Sequence, residues 1–182
     1  MVKTERIPLR EVFGTSHEID FLNAINNFDC QDKDVENFLK LKSVDFDKRN
    51  KSRTYLVVDE ERIIGDIIIL GYYTITLKNL PFSETVSKSM IKRIDGYSNN
   101  INSAEAVLIG QFGKDYKYKN KLNGVSLLNY AMSTIYSIQD LAAGRIVFLE
   151  CSDNAKIVNF YKDNGFIFLQ KNGEYLQMIR QL

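Results

Sequence analysis

Apolar positions along this chain fall into two kinds of run. Some are short and continuous, as buried strands are; others recur at helical spacing. Arg53 to Asp59 (RTYLVVD) reads as a strand, Glu60-Glu61-Arg62 as a turn, and Ile63 to Thr76 (IIGDIIILGYYTIT) as the continuation of the sheet, giving a hairpin and a further extended segment. Ala104 to Gly113 and Ile146 to Cys151 read as two more buried strands, and Phe166 to Leu169 and Leu176 to Ile179 as the last ones. Between them lie helical patterns. In Asp32 to Leu41, which follows Phe28-Asp29-Cys30, residues Val35, Phe38, Leu39 and Lys42 share helical spacing and an Asp can cap the start. Glu84 to Asp95 is helical in character. Val125 to Ala142 puts Leu128, Ala131, Met132, Ile135 and Ile138 on one face. Ala155 to Asn164 ends at Gly165, a C-cap glycine. Alternating strands and helices with short links predict an α/β (α+β) fold: a mixed, mostly antiparallel sheet of six or seven strands flanked by helices. Its one central parallel pair, Val107–Gly113 beside Ile146–Cys151, follows from the intervening helix that a parallel crossover needs.

The chain has 182 residues, a usual length for one domain, and 1–182 is read as a single domain. Asp45 to Arg53 is the most polar stretch, a charged loop or helix end; Ser98 to Ser103 reads as a turn, and neither has the length of a linker. Apolar residues make up 45% and charged residues 26%, which excludes a disordered tail or a collagen-like rod. The net charge of +1 argues against a strongly basic nucleic-acid module while permitting a local basic patch. No apolar run has the ~20 residues that span a bilayer, so no membrane partner and a cytoplasmic location are expected. Two cysteines are too few for a disulfide framework, and one histidine, His17, excludes a His-rich metal site; no metal is expected.

Two constellations carry chemistry. The strand ending at Phe112-Gly113 leads through a loop with Lys114, Lys117, Lys119 and Lys121 into the helix that opens at Gly124-Val125. A helix start presents free N–H groups and partial positive charge, an anion site suited to phosphate, and four lysines make a polyphosphate plausible. A solvated charged loop before a core helix is the competing reading. In the second constellation, Asn154 and Tyr161 are seven residues apart, two helical turns, and so share a face, with Gly165-Phe166 following. Tyr161 can reach a ligand between the two buried strands, or can simply pack on the sheet beside Phe160 and Phe166.

Together these segments resemble the acetyl-coenzyme A-dependent N-acetyltransferase (GNAT) superfamily, from about Arg53 to the C-terminus. The family's pyrophosphate motif, Q/R-x-x-G-x-G/A, aligns with Lys119-Asn120-Lys121-Leu122-Asn123-Gly124. Only Gly124 is kept; Lys119 replaces Gln or Arg, and Leu122 replaces the middle glycine. The later motif, N-x-x-A-x-x-x-Y, aligns with Asn154 to Tyr161, Ile157 replacing its alanine. Phe28-Asp-Cys and the helix after it resemble the bacterial subgroup that includes tRNA-acetylating toxins.

The resemblance implies acetyl-CoA as cosubstrate. Pantetheine would pair with the backbone of Phe112, Gly113 and Lys114, an N–H near Gly113 would polarise the thioester, and the pyrophosphate would lie over residues 119–125, with Asn154 also at the cofactor. An amine would attack directly and Tyr161 would protonate the departing thiolate. The general base is not specified: Glu150, Asp153 and Glu105 read as surface carboxylates. Cys151 reads as a buried strand cysteine and His17 as structural or surface. Three functions follow: an N-acetyltransferase for a primary amine, small or macromolecular; a toxin-type enzyme acting on aminoacyl-tRNA with a companion antitoxin; or a non-catalytic CoA-binding module with a degenerate loop, which Leu122 and Asn120 favour. A homodimer stays among the open alternatives.

Overall fold

The computed structural model describes residues 2–63 and 66–182. Its strands are β1 (Thr4–Pro8), β2 (Arg53–Asp59), β3 (Ile69–Pro81), β4 (Ser103–Lys114), β5 (Ile146–Ser152), β6 (Ile167–Asn172) and β7 (Tyr175–Gln181). Its helices are α1 (Glu18–Asn27), α2 (Lys33–Leu41), α3 (Ser43–Lys48), α4 (Lys88–Asp95), α5 (Gly124–Ala142) and α6 (Ala155–Asp163). The seven strands run in the order β1-β2-β3-β4-β5-β7-β6. β4 and β5 are the parallel pair, in register from Val107↔Val147 to Ile109↔Leu149, while β1–β2, β2–β3, β5–β7 and β6–β7 are antiparallel. This is the mixed sheet the sequence pattern predicts.

The chain forms two compact units: 1–76 with 111–132, and 77–110 with 133–182. In the first, α1 buries Phe21, Ala24 and Ile25, spaced one helical turn apart, in a cluster with Phe28, Leu39, Leu56 and Tyr72. Asp32 caps α2 as expected, accepting from the N–H groups of Asp34 and Val35. In the second unit, Ile91 and Ile94 of α4 pack with Leu80, Phe148 and Ile179.

Two elements, β1 and α1, went unread in the sequence, and the stretch from Asp45, read as a charged loop or helix end, holds the end of a third, α3. β1 has only five residues and ends at a proline; α1 has no side-chain N-cap; α3 occupies the charged stretch from Asp45, which buries Asp47. The expected segment Ile63–Thr76 falls partly on residues 64 and 65, outside the described residues. β3 begins only at Ile69 and continues past Thr76 to Pro81, because Leu80 is a buried core position there.

Candidate cofactor loop and tyrosine

In the first unit, the end of β4 is tightly held. Gln111 N donates to Thr74 Oγ1 at 2.8 Å, and Asp115 N donates to Leu70 O at 2.9 Å. The buried Asp115 carboxylate accepts from Asp29 N (3.0 Å) and Lys117 N (2.7 Å). Gly113 is required by close approach: a Cβ there would lie 2.5 Å from Val35 Cγ1 and 3.3 Å from Cys30 Sγ. The backbone of Phe112, Gly113 and Lys114 is thus fixed in position.

The four loop lysines do not project as loose cations. Lys114 Nζ donates to Leu122 O at 2.8 Å and Lys119 O at 3.4 Å, closing the loop upon itself, and burial lowers its pKa. Lys117 Nζ donates to Asn27 O at 3.0 Å. Lys119 Nζ lies 4.7 Å from the centre of the Tyr116 ring. Lys121 pairs with the buried Asp59 carboxylate at 2.9 Å and lies over Tyr118. Each of these lysines thus has a partner within the protein that helps to hold the loop's shape.

Leu122 lies inside the loop. Its side chain is buried, only 3% exposed, and packs where Gly71 leaves room; an added Cβ at Gly71 would lie 3.1 Å from Leu122 Cδ2. Asn120 is exposed. Asn123 caps α5: its Oδ1 accepts from Ser126 N at 2.7 Å, and its carbonyl from Leu127 N. The N–H groups of Gly124 and Val125 belong to the helix's first turn, where no carbonyl four residues back is available, and Val125 is 46% exposed.

In the second unit, Asn154 stands just before α6 as its N-cap, accepting from Lys156 N (2.9 Å) and Ile157 N (3.4 Å). This corrects the shared-face expectation, since Asn154 precedes the helix and its Oδ1 is engaged in capping. Tyr161 is buried. The helix ends in a Schellman turn: Phe166 N donates to Tyr161 O and Gly165 N to Lys162 O, with Gly165 at φ +84°. Phe166 then meets Tyr161 ring to ring at 5.7 Å, and Phe160 at 5.1 Å. The same Gly-Phe that ends the helix therefore orients the tyrosine. Burial, helped by the nearby Cys151, pushes the Tyr161 pKa well above the usual phenol value, so the hydroxyl keeps its proton at neutral pH.

The remaining candidates have ordinary partners. Glu150 accepts from Asn172 and Gln177, Asp153 pairs with Lys171, and Glu105 accepts from Asn79. Cys151 is buried against Met178, and His17 is exposed near Asp20. Among the described residues no His/Cys/Asp/Glu group could hold a metal ion, and no helix is long and apolar enough to cross a membrane.

No family model matches this sequence, and no curated protein matches it. Solved structures do. AtaT complexed with acetyl-methionyl-tRNAfMet superposes with a TM-score of 0.73 at 23% identity, over 96% of this chain and 94% of that one. A Tyr→Phe mutant of KacT gives 0.72 at 21% identity, over 96% and 94%. A Tyr→Phe mutant of the AtaT toxin, bound to the C-terminus of the antitoxin AtaR and acetyl-CoA, gives 0.68 at 19% identity, over 99% and 92%. At these identities the chain shares their fold.

Proposed function

We propose that this chain is a toxin-type N-acetyltransferase that moves the acetyl group of acetyl-CoA to the amino group of an aminoacyl-tRNA. The observation that carries the reading is the near end-to-end likeness to AtaT, which was captured with acetyl-methionyl-tRNAfMet. The toxin reading is preferred to a general primary-amine acetyltransferase because AtaT is a neighbour both with that tRNA product and with an antitoxin. The buried Leu122 weakens the case for a non-catalytic module. Both compact units are read as parts of one acetyltransferase domain.

Acetyl-CoA supplies an activated thioester. Its pyrophosphate sits over residues 119–125, taken by the first-turn N–H groups of Gly124 and Val125 within the shape that Lys114, Lys119, Lys121, Leu122 and Asn123 impose. The backbone of Phe112, Gly113 and Lys114 pairs with pantetheine as an added strand, and an N–H near Gly113 faces the thioester oxygen. Support comes from the rigidity of that strand end and from a β4–β5 register that ends at Ile109 while β4 continues to Lys114. Asn154 serves the cofactor segment indirectly, by holding the start of α6. Tyr161 gives its proton to the departing thiolate, its hydroxyl being protonated at neutral pH. An antitoxin is the expected partner.

The test is a purified-protein assay with acetyl-CoA and charged tRNA, scored by free thiol release and by acetylation of the aminoacyl group. Thiol release with free polyamines but not with charged tRNA would refute the acceptor assignment. No acetyl-CoA binding by calorimetry would refute the enzyme reading.

A further inference from the structure

Lys114 belongs to both ends of the cofactor segment. Its backbone is the last residue of β4, and its half-buried side chain crosses the loop to the residues before α5. Nζ donates to Leu122 O at 2.8 Å and to Lys119 O at 3.4 Å. Both acceptors are main-chain carbonyls, so the ammonium is used within the loop itself. The strand end that carries it does not shift freely. Gln111 N and Asp115 N, on either side, donate to Thr74 Oγ1 and Leu70 O of β3.

The three residues before Gly124 are anchored to different elements. Lys121 pairs with Asp59 at the end of β2, the Leu122 side chain is buried beside Gly71 of β3, and Asn123 caps α5 through Ser126 N. The bond from Lys114 Nζ to Leu122 O ties this run to β4. It therefore joins the strand whose backbone is free beyond the β4–β5 register to a carbonyl two residues before the first turn of α5. All of these residues lie in the first compact unit.

A ligand that joins two groups by an arm gains from both subsites only when their separation matches the arm. In acetyl-CoA, pantetheine joins the thioester to the pyrophosphate. We infer that Lys114 is a positioning residue for acetyl-CoA: its bond to Leu122 O sets the reach between the β4 backbone that pairs with pantetheine and the first-turn N–H groups of α5 that take the pyrophosphate. This rests on the acetyltransferase reading and adds to it the side chain that fixes the spacing of its two subsites.

The joined ligand and its parts distinguish this role from others. Acetyl-CoA is titrated by calorimetry into the full chain and into Lys114→Met and Lys114→Arg. ADP, which has the diphosphate and no pantetheine, and S-acetylpantetheine, which has no phosphate, are titrated by NMR. Lys114→Met should weaken acetyl-CoA by about ten- to a hundredfold, the range spanned by a hydrogen bond from a charged donor. Each fragment should bind that variant within about twofold of wild type, because neither spans the two subsites. Lys114→Arg keeps N–H donors on a long side chain and should recover most of the acetyl-CoA affinity. Thermal melts check that each free variant is folded, and Lys114→Ala replaces a methionine variant that is not. An acetyl-CoA affinity unchanged in Lys114→Met overturns the inference. So does ADP weakened in step with acetyl-CoA, the mark of a direct phosphate contact, and so does failure of either fragment to bind wild type. Loss of all three ligands from a folded variant would show a general distortion and overturn it too. Wild type that binds no acetyl-CoA overturns the acetyltransferase reading itself, an outcome separate from these.

Discussion

Lys121→Met separates two views of the lysine-rich loop. If Lys121 serves as a phosphate cation, its loss weakens acetyl-CoA and leaves the free protein's stability alone. In this structure its ammonium lies 2.9 Å from Asp59 Oδ2, whose side chain is 4% exposed, whereas Lys121 is 35% exposed. Asp59 Oδ1 has no partner among the described residues, so the methionine variant leaves a buried carboxylate without a cation. Breaking a buried pair in this sense costs about 3–5 kcal/mol. The reverse change, Asp59→Asn, leaves a neutral amide inside and a cation that can turn to water, at a cost of about 1 kcal/mol. In a chain of 182 residues each kcal/mol moves Tm by about 2–4 °C. Lys121→Met should therefore lower Tm by roughly 6–20 °C and Asp59→Asn by no more than about 4 °C. The double variant should recover most of the larger loss, because no unpaired charge remains inside. Calorimetric melts with urea titrations of the four proteins complete the cycle. Equal losses in the two single variants, or a Lys121→Met change under about 1 kcal/mol, would refute the argument.

Further expectations can be tested with the same protein. Tyr161→Phe should lower kcat by about 10²–10⁴-fold with acetyl-CoA affinity nearly constant, measured by thiol release and calorimetry; an unchanged kcat removes Tyr161 as the acid. Gly113→Ala should cost about 1–3 kcal/mol because its Cβ would meet Val35, and adding Val35→Ala should relieve part of that loss; urea midpoints of the single and double variants decide it. Gly124→Asp, which adds a carboxylate at the first turn of α5, should clearly weaken acetyl-CoA in calorimetry. Glu36 accepts from Lys33, Lys40 and Cys30 N, and those bonds, Lys33 first, lower its pKa to about 2. A depressed carboxyl pKa gives stability that is present above the unfolded value of about 4.3 and lost as pH falls through the folded value. The urea-midpoint gap between wild type and Glu36→Gln should thus shrink between pH 5 and pH 2, and a constant gap would contradict it.

The sequence disclosed the elements whose signals are local. Asp32 announces α2 because a capping carboxylate acts within three residues, and Gly165 announces the end of α6 because a left-handed turn favours glycine. The parallel pair followed from one long amphipathic helix between two apolar strands. Positions whose role depends on distant partners were not legible. A lysine looks the same whether it will meet a phosphate, as Lys121 was expected to, or Asp59, sixty-two residues away. Leu122 in a glycine position gives no sign of Gly71, fifty-one residues away, beside which its side chain is buried. Asn154 was placed on the helix because a seven-residue spacing does not distinguish a cap from a first turn. The hydrogen bonds that run from Gln170 through Gln177 to Glu150 have no sequence signature, since they join two residues of a hairpin to a third on β5. The clue that was available is a pair of glutamines, Gln170 and Gln177, in otherwise apolar strands, which implies partners for buried amides.

Both cysteines are buried, one in each compact unit: Cys30 in the first and Cys151 in the second. Burial raises both thiol pKa values, so little reactive thiolate forms while the chain is closed. The protein therefore carries two intrinsic opening reporters. Under native conditions, the rate at which an alkylating reagent reaches each sulfur, resolved by peptide mass spectrometry, measures how often that part of the chain opens. Equal rates across a urea series would mean that the units open together; different rates would give each unit an opening free energy of its own.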